Sequence, residues 1–384
     1  MEYVKFSKFI VSTQYGYTAE ETSLVKGDAK YLRITDIVPY FVNKEQVPFC
    51  KIDDNKKKKY LINENDLLIA RTGATTGYNL VVDESYKNFV FASYLIRFNY
   101  NKNDLYPLYL KYVLKSQQWY GFVNNFISGS AQPGMNAKAF GKFQIPFFNY
   151  DIQKRISNIL STYDKLIDNN NKRIKLLEQM AENLYKEWFV RFRFPGYEDV
   201  EFIDGFPKEW KICRIDQLSK IKAGGDGPDD STKEITDECS IPIYSNGIEN
   251  EGLYGYTSKA KISKPSITIS ARGTVGYTCL RRVSYTPIVR LICVIPHEEK
   301  LVNWLFYYFK RTIVIANGTS QQQITIPMMS REKVLLPTND LIQKFYEYST
   351  CYLDEIDSLK AQNSNLEKQR DMLLPRLMSG KLEV

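Results

Sequence analysis

Two kinds of hydrophobic pattern alternate along this 384-residue chain. Up to about residue 148, and again over 208–338, short runs of β-branched and aromatic residues are separated by Gly, Pro, Asn and Asp. Examples are KYLRITDIV, DLLIAR, FVFASYLIRF, SITISAR and VRLICVI. Such runs predict strands joined by turns. Among them lie two aromatic stretches with helical spacing, YPLYLKYVLKSQQWYGFV and VNWLFYYFKRTIV. Past Pro146 and Pro337 the period lengthens. Ile152, Ile156, Ile159, Tyr163, Leu166, Asn170, Ile174, Leu177, Ala181, Leu184 and Trp188 recur every three or four residues. Ile342, Phe345, Ser349, Tyr352, Ile356, Leu359, Asn363, Leu366, Arg370, Leu373 and Leu377 do the same. A one-sided stripe of this length, ~55 Å at 1.5 Å per residue, predicts two long helices with coiled-coil seams. Each seam carries an asparagine near its middle, Asn170 and Asn363. Local solvation is the reading adopted here; a polar pair that fixes register is the other. The predicted fold class is α+β. It comprises a mixed α/β globule (1–148), a long helix (149–192), a linker rich in Pro and Gly turns (193–207), a second globule (208–338) and a second long helix (339–384).

The two globule–helix units are copies of one plan. ARTGATTGY (Ala70–Tyr78) returns as ARGTVGY (Ala271–Tyr277), which places Arg71 against Arg272. SGSAQPGMN (Ser128–Asn136) has its counterpart in NGTSQQQIT (Asn317–Thr325). From NYDIQKRI and NDLIQKFY onward the offset is a steady 190 residues, matching Gln153 with Gln343 and Asp164 with Asp354.

Composition narrows the classes. Apolar residues make up 43% and charged ones 25%, ordinary for a folded soluble protein. The net charge of +8 permits a polyanionic partner without requiring one. The run Lys56–Lys59 reads as a solvated loop, and the single histidine, His297, as a surface residue. Six cysteines without a CxxC pair fit reduced thiols better than a disulfide framework or zinc site. No stretch is apolar for the ~18 residues a membrane helix needs, and no signal-peptide layout opens the chain. A cytoplasmic protein without a membrane partner is expected.

Catalytic fingerprints are missing. GATTGY and GTVGY lack the Lys-Ser/Thr of a nucleotide P-loop, and no G-x-G-x-x-G opens a helix. There is no Asn/Asp-Pro-Pro-aromatic turn or Pro-Cys nucleophile of a DNA methyltransferase. The nuclease-like letters PDD and EEK lie about seventy residues apart, at chance expectation. A large duplicated chain of this kind reads as a recognition protein. An arginine at a strand end, followed by Thr and Gly, suits a loop pressed against a phosphate or base edge. Arg71 and Arg272 can bond guanine or phosphate in bidentate fashion, with hydroxyl contacts from Thr72, Thr75 and Thr274. Ser130, Gln132 and Asn136 in one copy, and Thr319, Ser320, Gln321 and Gln322 in the other, supply neutral donors and acceptors. Each residue taken singly also fits an ordinary satisfied turn.

These residues resemble a known family. Two α/β globules, each followed by a long helix beginning near a Pro and a Gln, are similar to the DNA-specificity subunit of type I restriction-modification enzymes. The most specific strings are FPKEWKICRIDQLSKIKAG, ISARGTVGY, GTSQQQITIPMMSREKVLLP and NNNKRIKLLEQMAENLYKEWFVRF. The chain departs from the family's Pro-Pro-x-x-Glu-Gln at the helix starts: Ile152 and Ile342 stand in place of the Glu. Its first globule lacks the Pro-x-x-Trp opening seen at Pro207–Trp210. The resemblance implies two target recognition domains that read a bipartite, asymmetric sequence in double-stranded DNA, with the helices packed as an antiparallel coiled coil that sets the gap. It implies two DNA-methyltransferase (modification) subunits and two motor-nuclease (restriction) subunits as partners. S-adenosylmethionine, ATP and magnesium would belong to those partners, and none to this chain, which would be non-catalytic. A specificity subunit of a fused methyltransferase-nuclease or of a methylation-only system, and a coiled-coil scaffold that binds protein, are the alternatives.

Overall fold

A computed structural model describes residues 2–20, 22–127, 134–316 and 323–382. The chain divides into two compact units, residues 1–172 with 360–384, and residues 173–359. Each unit holds one globule, the start of that globule's own long helix, and the end of the other long helix.

In the first unit, strands Ile10–Tyr15, Leu95–Tyr100, Leu67–Ala70 and Asn79–Val81 form an antiparallel sheet in that order. Leu67 and Ile69 face one apolar core, Leu68 and Ala70 another. Burial on both faces explains why DLLIA shows no polar alternation. A second sheet runs Thr22–Ser23, Phe49–Cys50, Ala29–Leu32 and Phe89–Phe91, its last pair parallel. Glu2–Lys5 pairs with Gln144–Phe147 at the approach to the first long helix. The second unit repeats the plan. Its four-stranded sheet is Ser219–Ala223, Ile292–Pro296, Ser266–Ile269 and Thr278–Arg281. Beside it lie Leu253–Thr257, Ile241–Tyr244 and Thr286–Pro287, the last pair again parallel. Lys211–Arg214 pairs with Lys333–Leu336.

The first aromatic stretch breaks into two helices, Pro107–Val113 and Gln117–Ile127, where the second forms one, Leu301–Ala316. The lysine run is helical rather than a loop. Asp53 accepts a hydrogen bond from the Lys56 amide and starts a short helix, Asp54–Tyr60, with Lys56, Lys58 and Lys59 exposed.

The long helices span Tyr150–Tyr185 and Asn339–Met378, and the first continues into a wider π turn over Lys186–Val190. Ile156 and Leu160 enter the core of the first unit together with Leu374, Leu377 and Met378 from the far end of the second helix. Leu341, Ile342 and Phe345 enter the other core with Ala181, Tyr185, Trp188 and Phe189. Within each unit the helices therefore run antiparallel, low numbers of one against high numbers of the other. Arg173 meets Glu355 at 2.6 Å in the second unit, and Asn170 meets Asn363 at 2.9 Å in the first.

The asparagines correct the solvation reading. Asn170 is buried and donates its amide to the Asn363 side-chain oxygen; Asn363 donates in turn to that of Asn171 at 2.9 Å. Amides linked in sequence across a seam, Asn170 to Asn363 to Asn171, favour one alignment, because a slip strands the buried ones without partners. Asn363→Ala should cost about 1–3 kcal/mol by leaving Asn170 unpaired. Replacing both Asn170 and Asn363 by Leu should recover that loss in denaturant unfolding; failure to recover would show that the pair is not a desolvated unit.

The predicted seam of the second helix matches its buried face, but that of the first slips near its start. Ile159 and Leu166 are exposed, and Leu160, Asp164 and Ile167 are buried instead. Asp164 is the reason. Its carboxylate accepts from Lys111 (2.7 Å), Tyr112 (2.9 Å), Tyr40 (3.1 Å) and Arg370 (3.0 Å). Burial opposes its ionisation, and Lys111, Arg370 and Tyr112 overcome that, holding the carboxyl below its usual range. Burial, reinforced by the nearby charges of Lys111 and Arg370, lowers the Lys115 ammonium to about 8.

Candidate nucleic-acid interface

The glycine turns sit where the central strand of each four-stranded sheet ends. In the first unit Ala70 exchanges backbone hydrogen bonds with the far side of the turn: its amide reaches the Tyr78 carbonyl (2.8 Å), and the Gly77 amide reaches its carbonyl (2.9 Å). Gly73 and Gly77 lie at φ of 71° and 89°, which favours glycine. A Cβ on Gly77 would also come within 2.8 Å of Val123. Trp119 and Asn79 both donate to the Gly77 carbonyl, at 2.8 and 3.0 Å, and clamp the turn from within the fold.

The same bonds in the second unit are made by Ser270, whose amide reaches Tyr277 (2.9 Å) and whose carbonyl accepts from Gly276 (2.8 Å). Thr278 donates to the Gly276 carbonyl at 3.0 Å, as Asn79 does to that of Gly77. Gly273 lies at φ 70°, as Gly73 does at 71°. This register corrects the pairing of the arginines. Ala70 corresponds to Ser270, so Arg71 corresponds to Ala271 and Arg272 to Thr72; the second turn is one residue shorter. The carbonyls of Arg71 and Ala271 accept equivalent bonds, from the Met135 and Ile324 amides.

The two arginines consequently do different work. Arg71 is half-buried: its Nε donates to the Ser93 carbonyl at 3.2 Å, and its guanidinium lies 5.1 Å from the centre of the Tyr15 ring. Arg272 is exposed at the turn, and among the described residues its side chain makes no hydrogen bond or ion pair. Thr72 bridges to Gly134, and the Thr75 hydroxyl donates back to the Thr72 carbonyl at 3.3 Å. Thr274 is exposed. Asn136 caps the short helix Ala137–Phe140 by accepting from the Ala139 amide at 2.9 Å, so its side-chain oxygen serves the fold. Ser130, Gln132, Thr319, Ser320, Gln321 and Gln322 lie outside the described residues. Sequence reading missed Tyr15, Ser93 and Asn246; the last accepts from the Ala271 amide at 2.8 Å. No string marks them, because each meets the turn from a distant strand or loop.

Among the described residues no group of His, Cys, Asp and Glu could hold a metal ion, and no helix is long and apolar enough to cross a membrane. None of the six cysteines is in a disulfide, and His297 is exposed. The second glycine turn exposes a guanidinium, Arg272, and a hydroxyl, Thr274, on backbone held by a paired sheet; in the first turn Arg71, Thr72 and Thr75 are half-buried.

A family model for the type I restriction modification DNA specificity domain matches residues 21–179 and 207–368. The chain belongs to this family. A type I specificity subunit of Mycoplasma pneumoniae is 30% identical over 219 residues, an alignment that spans 56% of this chain and 56% of the relative. The MjaIX type I restriction enzyme specificity subunit of Methanocaldococcus jannaschii is 25% identical over 315 residues, 74% of this chain and 71% of that one. The crystal structure of a type I restriction-modification S subunit from M. genitalium has a TM-score of 0.59 to this chain. It covers 98% of this chain and 95% of its own at 16% identity, a likeness of fold. Both family segments run from a globule into its long helix, so the specificity domain in this chain is the repeated unit.

Arg272→Ala should weaken recognition by the second globule by about 1–3 kcal/mol, with thermal stability unchanged. Arg71→Ala should lower the melting temperature as well, because it removes the bond to Ser93. Equal melting losses for both variants would show that Arg272 is a fold residue.

Proposed function

We propose that this chain is the sequence-specific DNA-binding subunit of a type I restriction-modification system. One globule reads each half of a bipartite target, and the two long helices set the unread gap between the halves. The observation that carries the reading is the repeated sheet-end turn in both copies of a specificity domain. Its side chains differ between the copies, half-buried Arg71 in one and exposed Arg272 in the other, so the two half-sites should differ and the target should be asymmetric. Double-stranded DNA is then the ligand, and two modification subunits and two motor-nuclease subunits are the partners. S-adenosylmethionine, ATP and magnesium are assigned to those partners, and the complex to the cytoplasm. This chain directs chemistry that it does not perform.

The test is methyl transfer from S-adenosylmethionine to DNA. The purified chain, free of partner subunits, should transfer nothing. Adding its modification subunit should produce methylation confined to one split motif. Transfer by the chain alone would overturn the non-catalytic assignment, and methylation without a motif would overturn the reading role.

A further inference from the structure

In the second unit, Val289 and Arg290 have φ of 51° and 60°. Positive φ is a genuine outlier for a β-branched residue such as Val289. The surroundings hold this turn firmly. The Val289 amide donates to Gly225 (2.8 Å), the Arg290 amide to Gly224 (3.0 Å), and the Gly224 amide to Leu291 (2.8 Å). A Cβ on Gly224 would sit 2.7 Å from the Ile288 amide nitrogen, so this approach requires glycine. Asn246 then joins the turn to the glycine turn: its Nδ2 donates to the Val289 carbonyl at 2.6 Å while its Oδ1 accepts from Ala271, the residue before Arg272. The result is two exposed guanidinium groups, Arg272 and Arg290, on adjacent turns tied by one amide. Neither has a side-chain partner among the described residues.

The first unit has the matching junction. The Gly16 amide donates to Leu95 at 3.2 Å, as Gly224 does to Leu291, and a Cβ on Gly16 would meet the Ala92 carbonyl oxygen at 2.1 Å. Ser93 and Tyr94 thus stand where Val289 and Arg290 stand. The Ser93 carbonyl accepts from Arg71 as that of Val289 accepts from Asn246. The outward side chain is Tyr94, 54% exposed.

We propose that the turns Ala92–Leu95 and Ile288–Leu291 are a second DNA-reading element beside the glycine turns, with Tyr94 and Arg290 as contacts and Arg71 and Asn246 as positioning residues. This rests on the DNA-reading function proposed above. Strained backbone persists where surrounding bonds over-determine it, and it clusters at functional sites. In the second copy the held conformation projects an unpaired cation; in the first, the matching turn has no positive φ and presents an aromatic ring. Arg290 suits the acceptor edge of guanine; Tyr94 suits an apolar contact with a thymine methyl or a base face. Unlike groups at matched positions give the two globules different preferences.

The experiment isolates the complex through a tag on this chain and mixes it with a library of random-sequence duplexes; bound sequences are then counted. Arg290→Ala should lose base preference within the second half-site, with binding weakened roughly five- to 150-fold, and leave the first half-site intact. Tyr94→Ala should do the reverse. Arg290→Lys keeps the charge and should still lose the base preference. Asn246→Asp keeps the acceptor for Ala271 but loses the donor to Val289. It should mimic Arg290→Ala while preserving the preference due to Arg272. An unchanged motif in both Arg290→Ala and Tyr94→Ala would overturn the proposal. So would equal weakening of both half-sites with a fall in melting temperature, the signature of a fold residue. A wild-type complex that enriches no motif would overturn the DNA-reading function itself, and this element with it.

Discussion

Asp164→Ala should destabilise the first unit by about 3–5 kcal/mol, because it leaves the Lys111 ammonium without its counter-charge and the buried Arg370 guanidinium with only the exposed Asp371. Four donors converge on this one carboxylate, from three separate segments of the unit. Asp354, its match 190 residues on, is an internal control. It is exposed and pairs with Arg282, which also bonds Asp357 at 2.5 Å, so Asp354→Ala should cost no more than about 1 kcal/mol. Hydrogen exchange separates the two units: amides of the first should lose protection in Asp164→Ala, and those of the second should keep theirs. The acid limb follows from the same hub. The folded-state pKa of Asp164 lies below its unfolded value. Its contribution is therefore complete above the unfolded value, about 3.9, and is lost as pH falls through the lower folded value. The first unit of Asp164→Ala should show a flatter acid profile than the parent. Equal effects of Asp164→Ala and Asp354→Ala would show that the hub is not a stabilising unit.

The same residue explains how far the sequence could be read. Long helices follow from periodicity alone, and the buried face of the second is the stripe expected. In the first, a seam drawn through apolar letters selects Ile159 and Leu166 and passes over Asp164, whose burial depends on Lys111 and Arg370, far away in the chain. The asparagines are similar: Asn170 and Asn363 were visible as polar letters in a seam, but their mutual bond depends on antiparallel pairing. The duplicated turn was legible as a repeat, yet matching letters aligned Arg71 with Arg272, and the backbone bonds of Ala70 and Ser270 shift that by one residue. Alternate side chains of extended chain point to opposite sides, so one residue of register separates an arginine tied to Ser93 from one facing outward. By its letters alone Arg290 is a charge interrupting an apolar run, PIVRLICVIP. Its place beside Arg272 depends on the bond from Asn246 to the neighbouring Val289 carbonyl, and no local pattern reports a bond from a loop 43 residues earlier.

The helices are the other place where a large effect is expected. Inserting seven residues after Lys172 in the first helix and seven after Leu359 in the second preserves the phase of both seams. The insertions leave the Asn170–Asn363 pair with the first unit and the Ile174–Ile356–Leu359 cluster with the second. Seven residues add ~10 Å of helix at 1.5 Å each, or about three base pairs at 3.4 Å per step. Inserting into one helix only would mismatch the pair and should abolish folding or activity. The most direct measurement is methylome sequencing of cells that carry either the parent chain or the doubly lengthened one with the modification subunit. The expected result is one split, asymmetric motif for the parent, and for the variant the same two half-sites with the gap widened by about three base pairs. A motif without a gap, or a gap unchanged in a variant that still folds and directs methylation, would contradict a chain that reads with its globules and measures with its helices.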